Sequence, residues 1–160
     1  MKEIIESVIF DVTPIVCVRV IAKSDSPEIK QEKKDYPFKL HNKVPVNIET
    51  SKRIFGFSIP KNYIWNGADI PRIFWRLVGS KTDNAFLVAS MLHDYLLDNK
   101  IDIYGNVLEK DIPMKEYRRL TSLIFREVLK NSGENVIKAN VMSWCVDVFQ
   151  MCHRGAWKCQ

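Results

Sequence analysis

The sequence predicts an α+β fold, in which a small N-terminal antiparallel β-sheet packs against a C-terminal bundle of about four helices. In residues 1–66, short segments alternate apolar and polar side chains, a period of two that is typical of half-buried strands. In residues 71–155, apolar side chains recur at helical spacing instead. The chain has 160 residues, of which 46% are hydrophobic, so we expect a single domain over 1–160 with one core.

Short strands separated by turns are expected in the N-terminal part. Residues 7–22 are rich in β-branched side chains, and Pro14 divides them into two strands. The polar segment 25–35 has no apolar pattern, so we expect a solvated loop there. Three further segments alternate as the strands of a meander with one packed face would, namely 38–41, 44–48 and 53–59.

The segment 60–72 joins the two halves of the chain. Tyr63 and Trp65 continue the strand alternation as far as Asn66 and Gly67. An Asn-Gly dipeptide tolerates positive φ angles and is typical of a tight turn. We therefore expect the chain to bend here and to fold back over the helix that carries His93.

Four helices are predicted after this hinge. Capping residues, prolines and glycines mark their ends, and they cover about 71–79, 83–98, 113–130 and 135–153. The apolar stripe of the second helix includes Phe86, His93 and Leu97. In the fourth helix, the side chains expected to face the core are Val141, Trp144, Cys145, Val148, Phe149 and Cys152.

Composition and charge exclude several classes of site and partner. The net charge is +5, but the basic residues are spread along the chain, so we expect no nucleic-acid partner. No apolar stretch approaches the roughly 18–20 residues of a membrane-spanning helix, and the start does not resemble a secretion signal. Zinc-site spacing is absent from the four cysteines, so we expect reduced and mostly buried thiols at Cys17, Cys145, Cys152 and Cys159.

The most specific motif spans the hinge and the following helices. It consists of PKNYIWNGADIPRIFWRLVGS and, further on, FLVASMLHDYLL. This pattern resembles the phage and prophage family known as domain of unknown function 1353. Members of that family share an apolar strand, an Asp-Gly-Ala-Ser-Ile-Pro-Arg turn, an aromatic helix and a His-Asp pair on a second helix. The resemblance covers 53–98 well and 125–157 loosely, and it implies a phage protein made in the host cytoplasm.

A His-Asp pair on a helix that faces a Gly-containing loop is also similar to the arrangement in phospholipase A2 enzymes. There the histidine activates water, while the aspartate and loop carbonyls bind calcium. This similarity implies that His93 is a general base and that Asp94, together with Asp69, binds calcium. The catalytic set would then be His93, Asp94 and Asp69, acting on an ester or amide.

Three residues around the bend are candidates for substrate binding: Arg72, Asn66 and Trp75. Arg72 could bind an anionic substrate, although a bidentate pair with a nearby carboxylate uses the same geometry. Trp75 could form a lipid-binding lip, although an aromatic side chain at helical spacing also fits a helix–sheet core.

The His-Asp motif also has a purely structural interpretation. His93 lies on an apolar stripe, where a core histidine bonded to Asp69 or to the loop backbone would be ordinary. Adjacent helical side chains diverge by about 100°, so we do not expect His93 and Asp94 to pair tightly with each other. The family's usual aspartate in the third helix is replaced by Ser122, which leaves Asp147 or Asp69 as the substitute partner of the imidazole.

The sequence thus leaves two hypotheses from different classes. The favoured one is a non-enzymatic phage protein whose partner is a phage or host protein, either a virion or tail component or a protein that engages a host factor. In it, the polar cluster clamps the loop 66–72 to the helix 83–98. The alternative is a calcium-dependent hydrolase that uses His93 and Asp94. Because the family's usual partner residues are missing, we favour the first.

Overall fold

The computed structural model describes residues 4–51, 54–67, 84–100 and 114–152. The strands in these ranges are β1 (Ile5–Phe10), β2 (Val16–Val18), β3 (Phe38–Leu40), β4 (Val44–Thr50), β5 (Ile54–Ile59) and β6 (Ile64–Trp65). The helices are α1 (Pro27–Asp35), α2 (Asn84–Asn99), α3 (Met114–Asn131) and α4 (Val136–Cys152). Three helices follow the strands, which confirms the predicted α+β class. The helix predicted at 71–79 lies outside the described residues.

The strands form two antiparallel three-stranded sheets rather than one meander. Their orders are β1-β4-β5 and β2-β3-β6, so β1 pairs with β4 and not with its neighbour β2. In β4, every second side chain from Val44 to Thr50 is buried, as the alternation predicts. Such a pattern determines which face of a strand is buried, but it does not determine which strand lies alongside it.

A break at Pro14 separates β1 from β2, as the sequence predicts. The side chain of Asn42 forms hydrogen bonds with the backbone on both sides of Pro14. Its Oδ1 accepts a hydrogen bond from the Ile15 amide at 2.8 Å, and its Nδ2 donates to the Thr13 carbonyl at 3.1 Å. The chain can therefore leave one sheet and enter the other, because the backbone groups at the crossing are bonded.

The loop predicted at 25–35 is wrong, because these residues form the helix α1. Ser26 caps the helix by accepting a hydrogen bond from the Ile29 amide at 3.3 Å, and proline occupies the first turn. Lys33 pairs with Asp25 at 2.7 Å. No side chain of α1 is buried. The prediction failed because it relied on an apolar stripe, whereas capping and ion pairs support this helix.

The helix α3 lies at the centre of the helical layer and contacts α2, α4 and strand β1. Asn131, at its end, donates a hydrogen bond to the Val8 carbonyl at 3.2 Å and so joins the helix to the first sheet. The Tyr117 hydroxyl donates to the Leu96 carbonyl of α2. The hydrophobic core formed by the described residues therefore lies between the sheets and these helices.

The predicted core face of α4 is wrong in part. Cys145 is buried as expected, but Trp144 is 60% exposed. The other described side chains of α4 that are buried were not on the predicted face: Ala139, Met142, Ser143, Val146 and Gln150. Ser143 packs close to α3 and donates a hydrogen bond to the Ser122 carbonyl at 2.6 Å. Because α4 is apolar on two sides, periodicity could not select the buried one, and the smaller side chains permit the closer approach of α3.

Cys17 and Cys145 carry free thiols. Cys17 is exposed on β2, whereas Cys145 is buried. Burial raises the pKa of the Cys145 thiol. A search of the described helices finds none with the length and apolar character needed to cross a bilayer.

We expect Ile48→Ala to lower the free energy of unfolding by about 2–5 kcal/mol, because Ile48 is fully buried in β4 and its truncation leaves a cavity. Ile54→Ala, in the neighbouring strand, is the matched control. Ile54 is 65% exposed, so its truncation should change stability by about 0.5 kcal/mol or less. Urea denaturation followed by circular dichroism measures both values. Equal losses in the two variants would contradict this description of the core.

Candidate functional site

Strand β6, which immediately precedes the predicted bend, contacts α2, the helix that carries His93. Trp65 is 1% exposed, and its indole N–H donates to Ser90 Oγ at 3.2 Å. Ser90 in turn donates to the Leu87 carbonyl at 2.9 Å within the helix. Trp65, the last residue of the strand before the bend, is therefore anchored in the core beside the helix that carries His93.

Gly67 has the positive φ that the Asn-Gly dipeptide predicts, while the tight turn itself stays a prediction because the chain from residue 68 lies outside the described residues. Gly67 has a φ of +81°, and a Cβ atom built on it would lie 2.8 Å from Cε2 of Phe38. The turn needs glycine both for its backbone angle and for this close approach. Asn66 is exposed at the start of the turn.

The rest of the bend lies outside the described residues. This applies to Asp69, Arg72 and Trp75. Their predicted parts in metal and substrate binding therefore stay predictions, as does the folding of the bend over His93.

His93 is buried on α2, with 5% exposure, as its place on the apolar stripe predicts. Its Nδ1 lies 3.1 Å from Oδ1 of Asp94. The expectation that these neighbours would not pair is therefore wrong. It considered only the directions in which adjacent Cα–Cβ bonds leave the helix, whereas rotation about the side-chain bonds returns the carboxylate to the ring.

The second ring nitrogen of His93 contacts Gln150 of α4. The Gln150 amide donates to Nε2 of His93. Both ring nitrogens thus contact side chains of this molecule, Nδ1 with Asp94 and Nε2 with Gln150. The ring of Phe125 meets the imidazole edge-on, with centroids 5.9 Å apart. We call His93, Asp94 and Gln150 the His93 cluster.

The partner that the sequence analysis proposed for His93 on α4 is the wrong one. Asp147 instead accepts a hydrogen bond from Arg118 Nε at 3.2 Å. Gln150, nearly one turn further along, takes the role expected of Asp147. The sequence contains a signal for this contact. Gln150 is the only polar residue in the apolar stretch 148–152, and a glutamine that is buried there needs a hydrogen-bond partner.

Tyr63 lies within the electrostatic reach of the Asp94 carboxylate of the cluster. The Tyr63 hydroxyl donates to Oδ2 of Asp98 at 2.7 Å, and its ring stacks on Trp65 with centroids 6.1 Å apart. Burial, followed by the negative charges of Asp94 and Asp98, raises the pKa of Tyr63. Two carboxylates on successive turns of α2 thus face a neutral phenol.

A divalent-cation site cannot be assembled from the described residues alone. Calcium takes six to eight oxygen ligands. Across the described ranges, no group of three or more His, Cys, Asp or Glu side chains is placed to hold a metal ion. Asp94 already bonds the imidazole. The calcium hypothesis therefore still depends on Asp69 and its neighbours.

We expect Gly67→Ala to destabilise the protein more than Gly133→Ala. Both glycines have positive φ, but a Cβ at Gly133 meets nothing within 4 Å, whereas one at Gly67 overlaps the Phe38 ring. The backbone strain is thus shared, and the overlap should add about 1–3 kcal/mol at Gly67 alone. Urea denaturation of the two variants measures the difference, and equal losses would show that Phe38 does not restrict the turn.

We expect Tyr63→Phe to reduce the loss of stability above about pH 10. Below that pH the phenol is neutral in both states, so it adds no pH dependence. Above it, Tyr63 ionises in the unfolded chain but is held neutral in the folded one, so stability falls as the pH rises. Melting temperatures between pH 8 and 11 test this, with Tyr36→Phe as the control for losing an exposed tyrosine. Parallel curves for wild type and Tyr63→Phe would contradict it.

The family described as "Protein of unknown function (DUF1353)" matches this chain over residues 39–146. The chain is also 35% identical over 54 residues to "Uncharacterized protein y4jT" of Sinorhizobium fredii (strain NBRC 101917 / NGR234), and the match covers 29% of this chain and 16% of that protein. No solved structure matches. The family match includes Trp65, Gly67 and His93 and ends before Gln150. This chain therefore belongs to the DUF1353 family, as the hinge motif and the His-Asp pair indicate.

Proposed function

We propose that this chain is a non-enzymatic, phage-encoded protein that acts by binding another protein, as a virion or tail component or by engaging a host factor. In this proposal the His93 cluster is a structural clamp. One observation carries it: both imidazole nitrogens of the buried His93 are bonded to side chains of the same molecule. A general base needs a ring nitrogen directed at water or substrate. Here Asp94 and Gln150 take both positions.

Among the described residues, the His93 cluster joins α2 to α4 through Gln150, while Trp65 and Ser90 join α2 to the strand that precedes the bend. The predicted hold of the loop 66–72 on α2 stays a prediction, because most of that loop lies outside the described residues. Removing one partner would leave a buried polar group without a bond, at a cost of about 1–3 kcal/mol. The cluster thus favours one arrangement of the helices.

The phage origin and the type of partner rest on the family resemblance of the hinge motif. They are independent of the His93 geometry. The binding role is further supported by an unusual exposed face of α4, which the next subsection describes.

One observation favours the alternative, a calcium-dependent hydrolase. Asp94 bonds Nδ1 of His93 at 3.1 Å, as an orienting carboxylate does beside a histidine base. In that hypothesis Gln150 must leave Nε2 so that water can take its place, and Asp69 must complete a calcium site with Asp94. The Oε1 atom of Gln150 has no hydrogen-bond partner among the described residues, so within them the amide is held on one side only.

The clamp predicts that His93→Ala and Gln150→Ala each lower the melting temperature by several degrees. Because the two side chains act together, the double variant should lose less than the sum of the single losses, with a coupling of about 0.5–3 kcal/mol. His41→Ala and Gln31→Ala remove the same side chains from exposed positions and should have little effect. Additive losses in the double variant would show that the contact between His93 and Gln150 does not stabilise the fold.

Calcium separates the two hypotheses. If the cluster is only a clamp, millimolar calcium and EDTA should give the same melting temperature for the wild type and for Asp94→Asn. A ligand that binds the folded state raises its stability. A calcium-dependent rise that is present in the wild type and lost in Asp94→Asn would therefore overturn the proposed function in favour of the hydrolase.

A further inference from the structure

The outward face of α4 carries a continuous apolar row. Three of its members are strongly exposed: Ile137 at 74%, Trp144 at 60% and Met151 at 43%. Val141 and Val148 lie between them and are partly exposed. We call these five residues the α4 seam. Their spacing alternates between four and three positions, which is the spacing of the contact positions in a coiled coil.

The seam is not part of the core of this molecule. The core side of α4 is a different face, which includes Ala139, Met142 and Val146. Single exposed apolar side chains are common on protein surfaces, but a row of five that includes a tryptophan is not. Such a row is typical of a surface that another helix covers.

A basic wall borders the seam. A groove of about 340 Å³ runs between α3 and α4, and both Trp144 and Met151 line it. The charged side chains of α3 that line the groove are Lys115, Arg118, Arg119 and Arg126. Arg118 and Arg119 follow Lys115 by three and four positions, and Arg126 follows Arg119 by about two turns, so the four side chains lie on one side of α3.

Within the described residues, part of this positive charge has no paired carboxylate. Arg118 pairs with Asp147, which also lines the groove, and Arg126 pairs with the buried Glu127. Lys115 and Arg119 are exposed, and neither forms an ion pair with another described residue. The groove therefore offers apolar contact on the α4 side and unneutralised cations on the α3 side.

We infer that the α4 seam and the adjoining groove form a docking surface for an acidic amphipathic helix of a partner protein. This inference rests on the proposed function, because it names the surface and the chemistry of the partner. The partner's apolar stripe would pack along the seam, and its Asp or Glu side chains would face Lys115 and Arg119. Tryptophan and arginine are the residues that most often dominate the energetics of such interfaces.

Charge argues against two other occupants. A second copy of this chain, docked through the same face, would bring its own α3 cations towards this basic wall, where like charges repel. The phosphates of a nucleic acid would pair with the cations, but they would gain no favourable contact with the Ile, Val and Met side chains of the seam.

The test uses two fluorescein-labelled helical peptides and the full chain. Both peptides carry leucines at heptad spacing; one has glutamates at the flanking positions and the other has lysines. Fluorescence anisotropy should show binding of the glutamate peptide and at least tenfold weaker binding of the lysine peptide. Raising the salt concentration should weaken the binding of the glutamate peptide. Equal affinities, or no binding of the glutamate peptide, would overturn the inference.

Surface variants locate the binding on the chain. Trp144→Ala should weaken the glutamate peptide at least tenfold, and Arg119→Glu should weaken it while improving the lysine peptide. Ile54→Ala and Lys34→Glu remove an exposed apolar side chain and an exposed cation elsewhere, and should change neither affinity. Since all four positions are exposed, the melting temperatures should stay at the wild-type value.

Three other results would replace the inference. Binding of phosphatidylglycerol vesicles or of a single-stranded oligonucleotide, lost in Trp144→Ala while the glutamate peptide fails, would assign the surface to a membrane or to nucleic acid. A dimer in sedimentation that Trp144→Ala dissociates would assign it to a second copy.

The test of this inference is independent of the tests of the proposed function. If the glutamate peptide does not bind, the calcium and double-variant results are unaffected. A calcium response with normal peptide binding would instead remove the proposed function and keep the docking surface.

Discussion

The arrangement of the helices depends on the requirement that a buried imidazole has both of its nitrogens bonded. His93 lies within the core, so water cannot satisfy its ring. Asp94, on the same helix, bonds one nitrogen, and the other needs a group from a different element. Gln150 supplies that group. The polar His93 on the apolar stripe of α2 therefore makes a specific contact with α4.

This requirement also explains why an apolar face of α4 points outward. When Gln150 and Ser143 point inward, the rotation of the helix about its axis is determined. Trp144 is six positions from Gln150 and so points about 120° away from it, towards solvent. The same polar contacts that attach α4 to the rest of the molecule therefore expose the α4 seam. The proposed clamp and the inferred docking surface both follow from one orientation of this helix.

The local charge of the groove differs from the average charge of the chain. The sequence shows basic residues spread evenly, with a modest net charge of +5. Folding brings Lys115 and Arg119 to the same face of α3, next to the seam. The internal carboxylates Asp147 and Glu127 pair with the other cations of that face. A surface with a distinct chemistry can thus arise from an unremarkable composition, because helical spacing gathers residues that lie three or four positions apart.

Local patterns in the sequence determined much of this protein. The alternation of β4, the break at Pro14, the positive φ of Gly67 and the helical periods of α3 and α4 all follow from side-chain period, capping and backbone preference, which act over a few residues. Tertiary structure alone decided the rest: the division into two sheets, the buried face of α4, and the choice of Gln150 rather than Asp147 as the partner of His93. These features depend on competition between surfaces that are far apart in the chain. A period shows which side chains share a face, but only packing decides which face is buried and what lies against it.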